Sequence, residues 1–488
     1  MNSIRLLLIA TLIVYCGTSV DAQTIRHVRI SGLERTRQLT IERELLFAAG
    51  QPYDADRLVE SERNLRRLPF LGEVSIRAFP SGQHVDIEVR IQELYSRALS
   101  PIISGSMRAI NYGLVGLDYN LLGRGQRARL AVQEHSDTGK SVETSFLDPR
   151  FQGTEHSAWT YALLGSDTRS FRLSLSRPFY TLNSRLTYGV NLHAGRQLTR
   201  LYAGGQLDSA YPTRQRTLHF WYGLSRGMTV KLRPHIAFKY TDQTTPHSTD
   251  SGPRLLRRHQ LESLLTLTLW QPQFSTDRFI ADLGPVEDIQ TGSWLSLSFG
   301  YAYARDRNDS SSILWSAHLA PRRRTAQSTY VFSSFVAEGQ GFGSTMQNVR
   351  MRSALNGYVR IGTHHSVALR FAMDALLHTK QIDQLLLGMD TGLRGLPAHA
   401  LAGNRRTILN LELRPTLHYD QRWTLAAASF FDAGNAWNKS ERSRLRYAYG
   451  MGLRLGFPQL YNTPVWRLDL AWSDRGDWHL SLGLGQYF

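Results

Sequence analysis

The chain has 488 residues with 57 Lys and Arg against 40 Asp and Glu, a formal charge of +17 and a sequence pI near 10.1. Its one cysteine, Cys16, falls in the N-terminal leader, which excludes a disulfide scaffold or thiol chemistry in the mature chain. Beyond that leader no apolar run reaches the roughly 20 residues a membrane helix needs, so a helical membrane bundle is excluded too.

Residues 1–22 read as a secretory signal peptide. Arg5 precedes an apolar run from Leu6 to Cys16, and Val20-Asp21-Ala22 presents the short side chains that signal peptidase accepts. Tyr15 is too bulky to precede a lipidated cysteine, so the mature chain is expected to start at Gln23.

Residues 23–95 predict a small β-α-α-β-β domain. Val28 and Ile30 alternate in a first strand, and Leu39, Ile41, Leu45 and Leu46 give a short helix closed near Gly50. Asp54 is placed to cap a second helix carrying Leu58, Leu65 and Leu68. Val74, Ile76 and Ala78, then Val85, Ile87, Val89 and Ile91, alternate in two strands joined by Pro80-Ser81-Gly82.

From residue 96 to 488 the pattern is long alternation of period two. In 293–305, Leu295, Leu297, Phe299, Tyr301 and Tyr303 alternate with Ser296, Ser298, Gly300, Ala302 and Ala304. Phe171, Leu173 and Leu175 do the same, as do Leu186, Tyr188, Val190 and Leu192, and Leu218, Phe220, Tyr222 and Leu224. Windows of about nine to thirteen residues match a tilted membrane strand, and nothing between them forms the second apolar layer of a soluble sandwich. The expectation is a transmembrane antiparallel β-barrel.

Charge divides at the same place. Residues 23–95 hold 11 Arg and 11 acidic residues, so the whole excess lies in the barrel part, 45 basic against 28 acidic. Basicity spread over short loops and strand faces is not the stripe that nucleic acid requires, and no nucleic-acid partner is expected. Arg254, Arg257 and Arg258 in an extracellular loop, or Arg322, Arg323 and Arg324 at a turn, are read either as contacts for lipid phosphates or as solvated surface. No G-x-S-x-G, H-E-x-x-H or P-loop motif and no cysteine metal site is present, so neither an enzyme nor a cofactor is expected. His364-His365 would face opposite sides of a strand and make a poor chelate, so no metal is assigned.

The phrases VRISGLERT, YDADRLVESERNLRRLPFLGEV and VDIEVRIQE in residues 23–95 resemble a POTRA domain. GLDYNLLGRGQ (116–126), FLDPRF (146–151), LGMDTGLRG (387–395), NLELRP (410–415), FFDAGNAW (430–437) and YGMGLRLGFPQ (449–459), in this order, resemble the barrel of the BamA-type family of outer-membrane assembly and translocation proteins. The resemblance implies about 16 strands, whereas the windows number up to about 20, the surplus lying mainly between residues 259 and 375.

By the same resemblance the loop Gly392-Leu393-Arg394-Gly395-Leu396 tucks into the lumen, with Leu393 and Leu396 departing conservatively from the family's motif, and Arg394 meets Glu412 and Asp432 on the next two strands. Leu411 and Leu413 beside Glu412, and Phe431 and Ala433 beside Asp432, independently point those two acids inward. The resemblance also implies a weak seam between the strand around 99–109 and that around 479–488, with Gly105, Gly483 and Gly485 near it, and a sorting role for the terminal aromatic Phe488. The expected function is ATP-independent insertion or translocation of polypeptides at the outer membrane of a Gram-negative-type bacterium, with the POTRA domain in the periplasm. Expected partners are client polypeptides, outer-membrane lipids and lipopolysaccharide, and periplasmic or lipoprotein accessory factors. A two-partner secretion exporter and a passive porin are the alternatives. The first normally carries two POTRA domains and a plug helix, for which the chain has no room, and the second needs no POTRA domain.

Overall fold

The structure, a computed structural model, describes residues 23–488 apart from 107–108, 250–251, 306–309, 380–381, 421, 440, 442–443 and 460–464. The signal peptide expected over 1–22, with Cys16, lies outside the described residues.

The N-terminal region is a three-stranded sheet in the order β1-β3-β2, from β1 (Thr24–Ser31), β2 (Leu71–Ser81) and β3 (His84–Glu93), covered by helices α1 (Gln38–Glu42) and α2 (Ala55–Arg66). The Asp54 carboxylate accepts from the N–H groups of Asp56 and Arg57 and so caps α2. The alternation in β3 buries Val85, Ile87, Val89 and Ile91 against Ile41, Leu58, Leu65 and Phe70. In β1 the fully buried residue is Ile25, with a bulge before His27, while Val28 and Ile30 pack at the margin. Leu39, expected inside α1, is 71% exposed.

The rest of the chain is a closed antiparallel barrel of twenty strands. This corrects the expected sixteen, for every window between 259 and 375 is a full wall strand paired on both sides. The twelfth strand, Ser312–Ala320 with Arg322–Ala326, and the sixteenth, Arg405–Arg414 with Thr416–Tyr419, are each interrupted but remain on one partner. Pro321 and Pro415 mark the two breaks, because proline has no N–H to give the ladder. The outward face of the wall is the apolar half of the alternation: in Trp294–Ala304, Phe299 is 63% exposed and Tyr303 56%, while Ala302 is buried.

Segments between strands cover the lumen from both ends. On the periplasmic side the connection between Gly252–Trp270 and Trp294–Ala304 folds into a small hairpin, Phe274–Asp277 with Glu287–Gln290. Its Phe279 and Leu283 pack on Ala426 and Val465, and its Ile280 and Ile289 on Tyr330, so it spans between distant parts of the wall. On the extracellular side the tip of the hairpin Leu186–Ala203 and Gln206–Leu224 leans onto the loop after the fifteenth strand (His365–Leu377). There Tyr202 N–H donates to Gln384, Gln384 donates back to Tyr202 O, and the Tyr202 and His399 rings stack at 4.1 Å.

Candidate functional site: the luminal charge cluster and the seam

The loop between the fifteenth and sixteenth strands is held first by apolar packing. Leu387, Leu393 and Leu396 are buried with Ala372, Ile408, Ala436 and Ala448 of the wall. Gly392 has φ +134°, and a Cβ at Gly395 would lie 2.4 Å from that of Ala448, so both glycines are required by close approach to the wall. The conformation points Arg394 at the inner wall.

Arg394 is completely buried. Its Nε donates to Asp432 Oδ2 at 2.8 Å and its Nη2 to Asp432 Oδ1 at 2.9 Å, a bidentate fork. Nη1 donates to Glu412 Oε2 at 2.7 Å, and the backbone N–H of Arg394 adds a bond to Asp432 at 3.2 Å. The guanidinium lies between two rings, 3.4 Å from the centre of Phe430 and 4.1 Å from that of Tyr487. Rings on both faces and acids at the edge use the planar cation completely, which a lysine cannot reproduce.

The cluster is larger than the sequence expectation. Asp469 lies 3.7 Å from Arg394 and accepts from Arg454 at 2.6 Å. Glu412 accepts from Arg414 at 3.0 Å and Arg454 at 3.2 Å, Arg467 approaches Asp469 at 3.2 Å, and Asn410 bridges Asp432 to the carbonyl of Gly392. The signal for Arg454 and Asp469 is present in the sequence: Leu453 and Leu455 flank one and Leu468 and Leu470 the other, the same inward-pointing pattern that marks Glu412. Gly450 and Gly452 make room, since a Cβ at the first would meet the Phe430 ring at 2.4 Å and at the second Asp469 Oδ1 at 2.2 Å.

The barrel closes between its first strand, β4 (Arg97–Ser106), and its twentieth, Trp478–Leu484. Only Gly105↔Leu482 and Ser106↔Ser481 pair there among the described residues, against seven pairs between the last two strands. Gly105 is therefore a seam residue, held at φ +107° where a Cβ would lie 2.1 Å from Ala109 O. Gly483 is beside the seam but answers to the lumen, because a Cβ there would strike Arg467. Gly485, at φ +86°, turns the chain out of the strand. Tyr487 and Phe488 then point inward: the Tyr487 hydroxyl donates to Met389 O at 2.8 Å, and Arg414 donates to Phe488 O at 3.2 Å. Of the two adjacent histidines, His364 packs on Phe279 and Tyr419, and His365 Nδ1 accepts from Thr416 N–H.

The Omp85 superfamily domain matches residues 120–488, most of the chain and all the strands that bear the cluster. The chain belongs to the Omp85 superfamily. A POTRA match, described as a surface antigen variable number repeat, covers residues 23–94 of this Omp85 protein. It is 30% identical over 145 residues to the outer membrane protein assembly factor BamA of Neorickettsia risticii (strain Illinois), a match covering 29% of this chain and only 19% of that protein. Among solved structures, BamA from Haemophilus ducreyi lacking POTRA domains 1–3 is similar over 94% of this chain and 84% of that one, at 13% identity and a TM-score of 0.44. CdiB from Escherichia coli is similar over 94% and 76%, at 12% identity and a TM-score of 0.46. Membership makes this an outer-membrane barrel with its POTRA domain in the periplasm.

In this Omp85 chain the first two periplasmic turns have a structural use, which is to dock the POTRA domain. Arg37 N–H and the Thr40 hydroxyl donate to Gly123 O, and Asn120 donates to Thr36. Arg150 pairs with the buried Glu44 at 3.3 Å and lies 3.0 Å over the Tyr180 ring. Burial pushes the Glu44 carboxyl up while Arg150 and Arg43 pull it down. The periplasmic hairpin is tied to the same domain: Arg66 of α2 makes two 2.9 Å bonds to Asp288, Arg278 donates to Glu73 at 2.9 Å, and Arg63 lies over Phe274.

Proposed function

We propose that this chain promotes insertion or translocation of polypeptides at the outer membrane without ATP, by letting a client strand add at the seam between Arg97–Ser106 and Trp478–Leu484. The observation that carries the reading is the shortness of that seam, two register pairs among the described residues in a wall whose neighbouring contact has seven. The free N–H and C=O groups of an unpaired edge are a template for another strand, and backbone bonds tolerate many client sequences. In the periplasm the sheet edges at β1 and β2 offer the same chemistry to a segment on its way to the barrel.

The luminal cluster supplies the second part of the reading. Arg394 ties the inserted loop to acids on the sixteenth, seventeenth and nineteenth strands, and to Tyr487, which follows the last strand. The C-terminal side of the seam is thereby braced as one block, so opening bends a hinge elsewhere without dissolving these strands. A passive porin is disfavoured because the arginine loop and the periplasmic hairpin both stand in the way of a steady aqueous path.

Cysteines at the register partners Ser106 and Ser481 test the mechanism. Directly opposed residues of an antiparallel pair have Cα atoms about 4.5–5.5 Å apart, within disulfide reach. Oxidised Ser106→Cys/Ser481→Cys protein in vesicles should lose client insertion and regain it with reductant. Full activity in the oxidised state would refute the seam and move the route to the lumen.

A further inference from the structure

The seventh to tenth strands, Leu186–Ala203, Gln206–Leu224, Lys231–Thr249 and Gly252–Trp270, are the longest of the wall and rise past their neighbours on the extracellular side. At the upper edge of the apolar belt, on the outward face of the seventh and eighth strands and of the sixth (Thr168–Arg177) beside them, three arginines stand in one cross-strand row. Arg196 is the register partner of Arg169 on one side and of Arg214 on the other. Arg216 lies one step below Arg214 on the same face, and all four are exposed.

Their outward direction follows from the alternation. Leu164, directly opposite Arg169, is 63% exposed, and Phe171, Leu192 and Phe220 of the belt share the faces of Arg169, Arg196 and Arg214. Like charges directly opposed on adjacent strands repel, so such a row is unfavourable unless anions lie over it. The protein provides few. None of the four arginines donates a hydrogen bond to a carboxylate or forms an ion pair among the described residues: Asp242, which stands opposite Arg216 and within the field of Arg214, is bound by Arg257 at 3.1 Å, and Asp167 is bound by Arg200. Two of the clusters singled out in the sequence are placed differently. Arg257 is held by Asp242, and Arg322 stacks on Trp294 and Phe332.

We propose that Arg169, Arg196 and Arg214, with Arg216 beneath, form a binding site for the phosphate groups of an outer-leaflet glycolipid. The row sits where headgroups meet the belt, so acyl chains of the same lipid would lie along Phe171, Leu192 and Phe220 while its phosphates lie among the guanidiniums. Adjacent strands are about 4.8 Å apart, so the outer two arginines are separated by about 10 Å, which suits a headgroup bearing two phosphates over a single phosphate. A forked guanidinium takes a phosphate through two parallel bonds, which makes arginine the fitting residue at each position. The site would anchor the tall strands in the outer leaflet, opposite in direction to the POTRA docking on the periplasmic side.

The test uses full-length protein in phosphatidylcholine vesicles doped with bisphosphorylated lipid A or with its dephosphorylated form. Retained lipid per protein and the thermal midpoint are both read. Wild type should retain the phosphorylated form and gain heat stability from it alone. The variant Arg169→Gln/Arg196→Gln/Arg214→Gln should bind it about a hundredfold more weakly, at about fivefold per arginine near a charged membrane surface. In phosphatidylcholine without lipid A that variant should be as heat-stable as wild type or more so, because the repulsion is gone, which a merely structural role would not produce. Arg196→Gln alone gives a second reading, about fivefold weaker binding, if the triple variant assembles poorly. Equal retention by wild type and variants would overturn the proposal. So would an equal gain in stability from inorganic phosphate, which would make the site one for free anions, or preferential binding of an acidic polypeptide.

Discussion

Replacing Arg394 by alanine is the sharpest perturbation of the luminal cluster, because the structure says which partner suffers. Glu412 would keep Arg414 and Arg454, and Asp469 would keep Arg454 and Arg467. Among the described residues Asp432 would keep only Asn410 and a backbone N–H, and would be a fully buried carboxylate without a cation. Breaking a buried pair from one side costs about 3–5 kcal/mol, a large share of the roughly 5–15 kcal/mol that holds a typical protein together. Loss of the two ring contacts adds to it. The expected result is a loop cut readily by protease between residues 388 and 400, a lower urea midpoint and impaired client insertion. Adding Asp432→Asn to Arg394→Ala should recover much of the stability, since the stranded charge is removed, while the loop stays untethered and insertion stays impaired. Arg394→Lys should recover part of both. Asp469→Asn should affect the loop least of the three acids, its contact being 3.7 Å. Wild-type protease resistance and activity in Arg394→Ala would refute the reasoning, and so would a double variant no more stable than the single.

Gly395→Ala places a methyl 2.4 Å from the Ala448 Cβ, so the loop should lift from the wall at a cost of about 1–3 kcal/mol, visible as protease sensitivity without loss of barrel migration on gels. Glu44→Ala leaves Arg150 buried without its carboxylate and should loosen the POTRA domain, measured as faster cleavage near residue 95, while removal of residues 23–95 should leave a barrel that still inserts but handles clients poorly. The Glu287 carboxyl of the periplasmic hairpin is pushed up to about 7 by burial and by Asp282, against three backbone N–H groups that pull it down. Its folded value is above the ordinary 4.5, so its contribution to holding the hairpin is complete below about 4.5 and is lost as pH rises through about 7. Cleavage within 281–286 should rise across that window in wild type and stay flat in Glu287→Gln.

The wall was legible because period-two alternation is a local property, and Phe299 or Leu192 announces its face from its neighbours alone. The windows number the strands correctly where the resemblance, at about sixteen, undercounts them, and the proline breaks at 321 and 415 interrupt strands that the ladder keeps whole. Glu412 and Asp432 could be oriented from their flanking residues, as Arg454 and Asp469 could have been. Tyr487 could not, because its inward turn depends on Gly485 and on a loop almost a hundred residues earlier. The periplasmic hairpin was equally hidden. Its strands have four residues each, too short for a period to register, and Phe279 finds its partners Ala426 and Val465 across the barrel.

The hairpin at 274–290 and the extracellular loop with its Tyr202 contact have a consequence for the cell that carries this protein. A wall of twenty strands encloses a wider bore than one of sixteen, since barrel diameter grows with strand number, and an uncovered bore of that size would breach the outer membrane as a permeability barrier. Both covers are spliced between adjacent strands, so either can be displaced without unpairing the wall. Leakage without failed assembly should therefore arise from lesions that free a cover and spare the luminal cluster. Lesions at Asp288 or Gln384 would sensitise cells to bulky antibiotics while protein amount and gel migration stay normal, whereas lesions at Arg394, which untether the loop that covers the lumen, would combine leakage with impaired insertion.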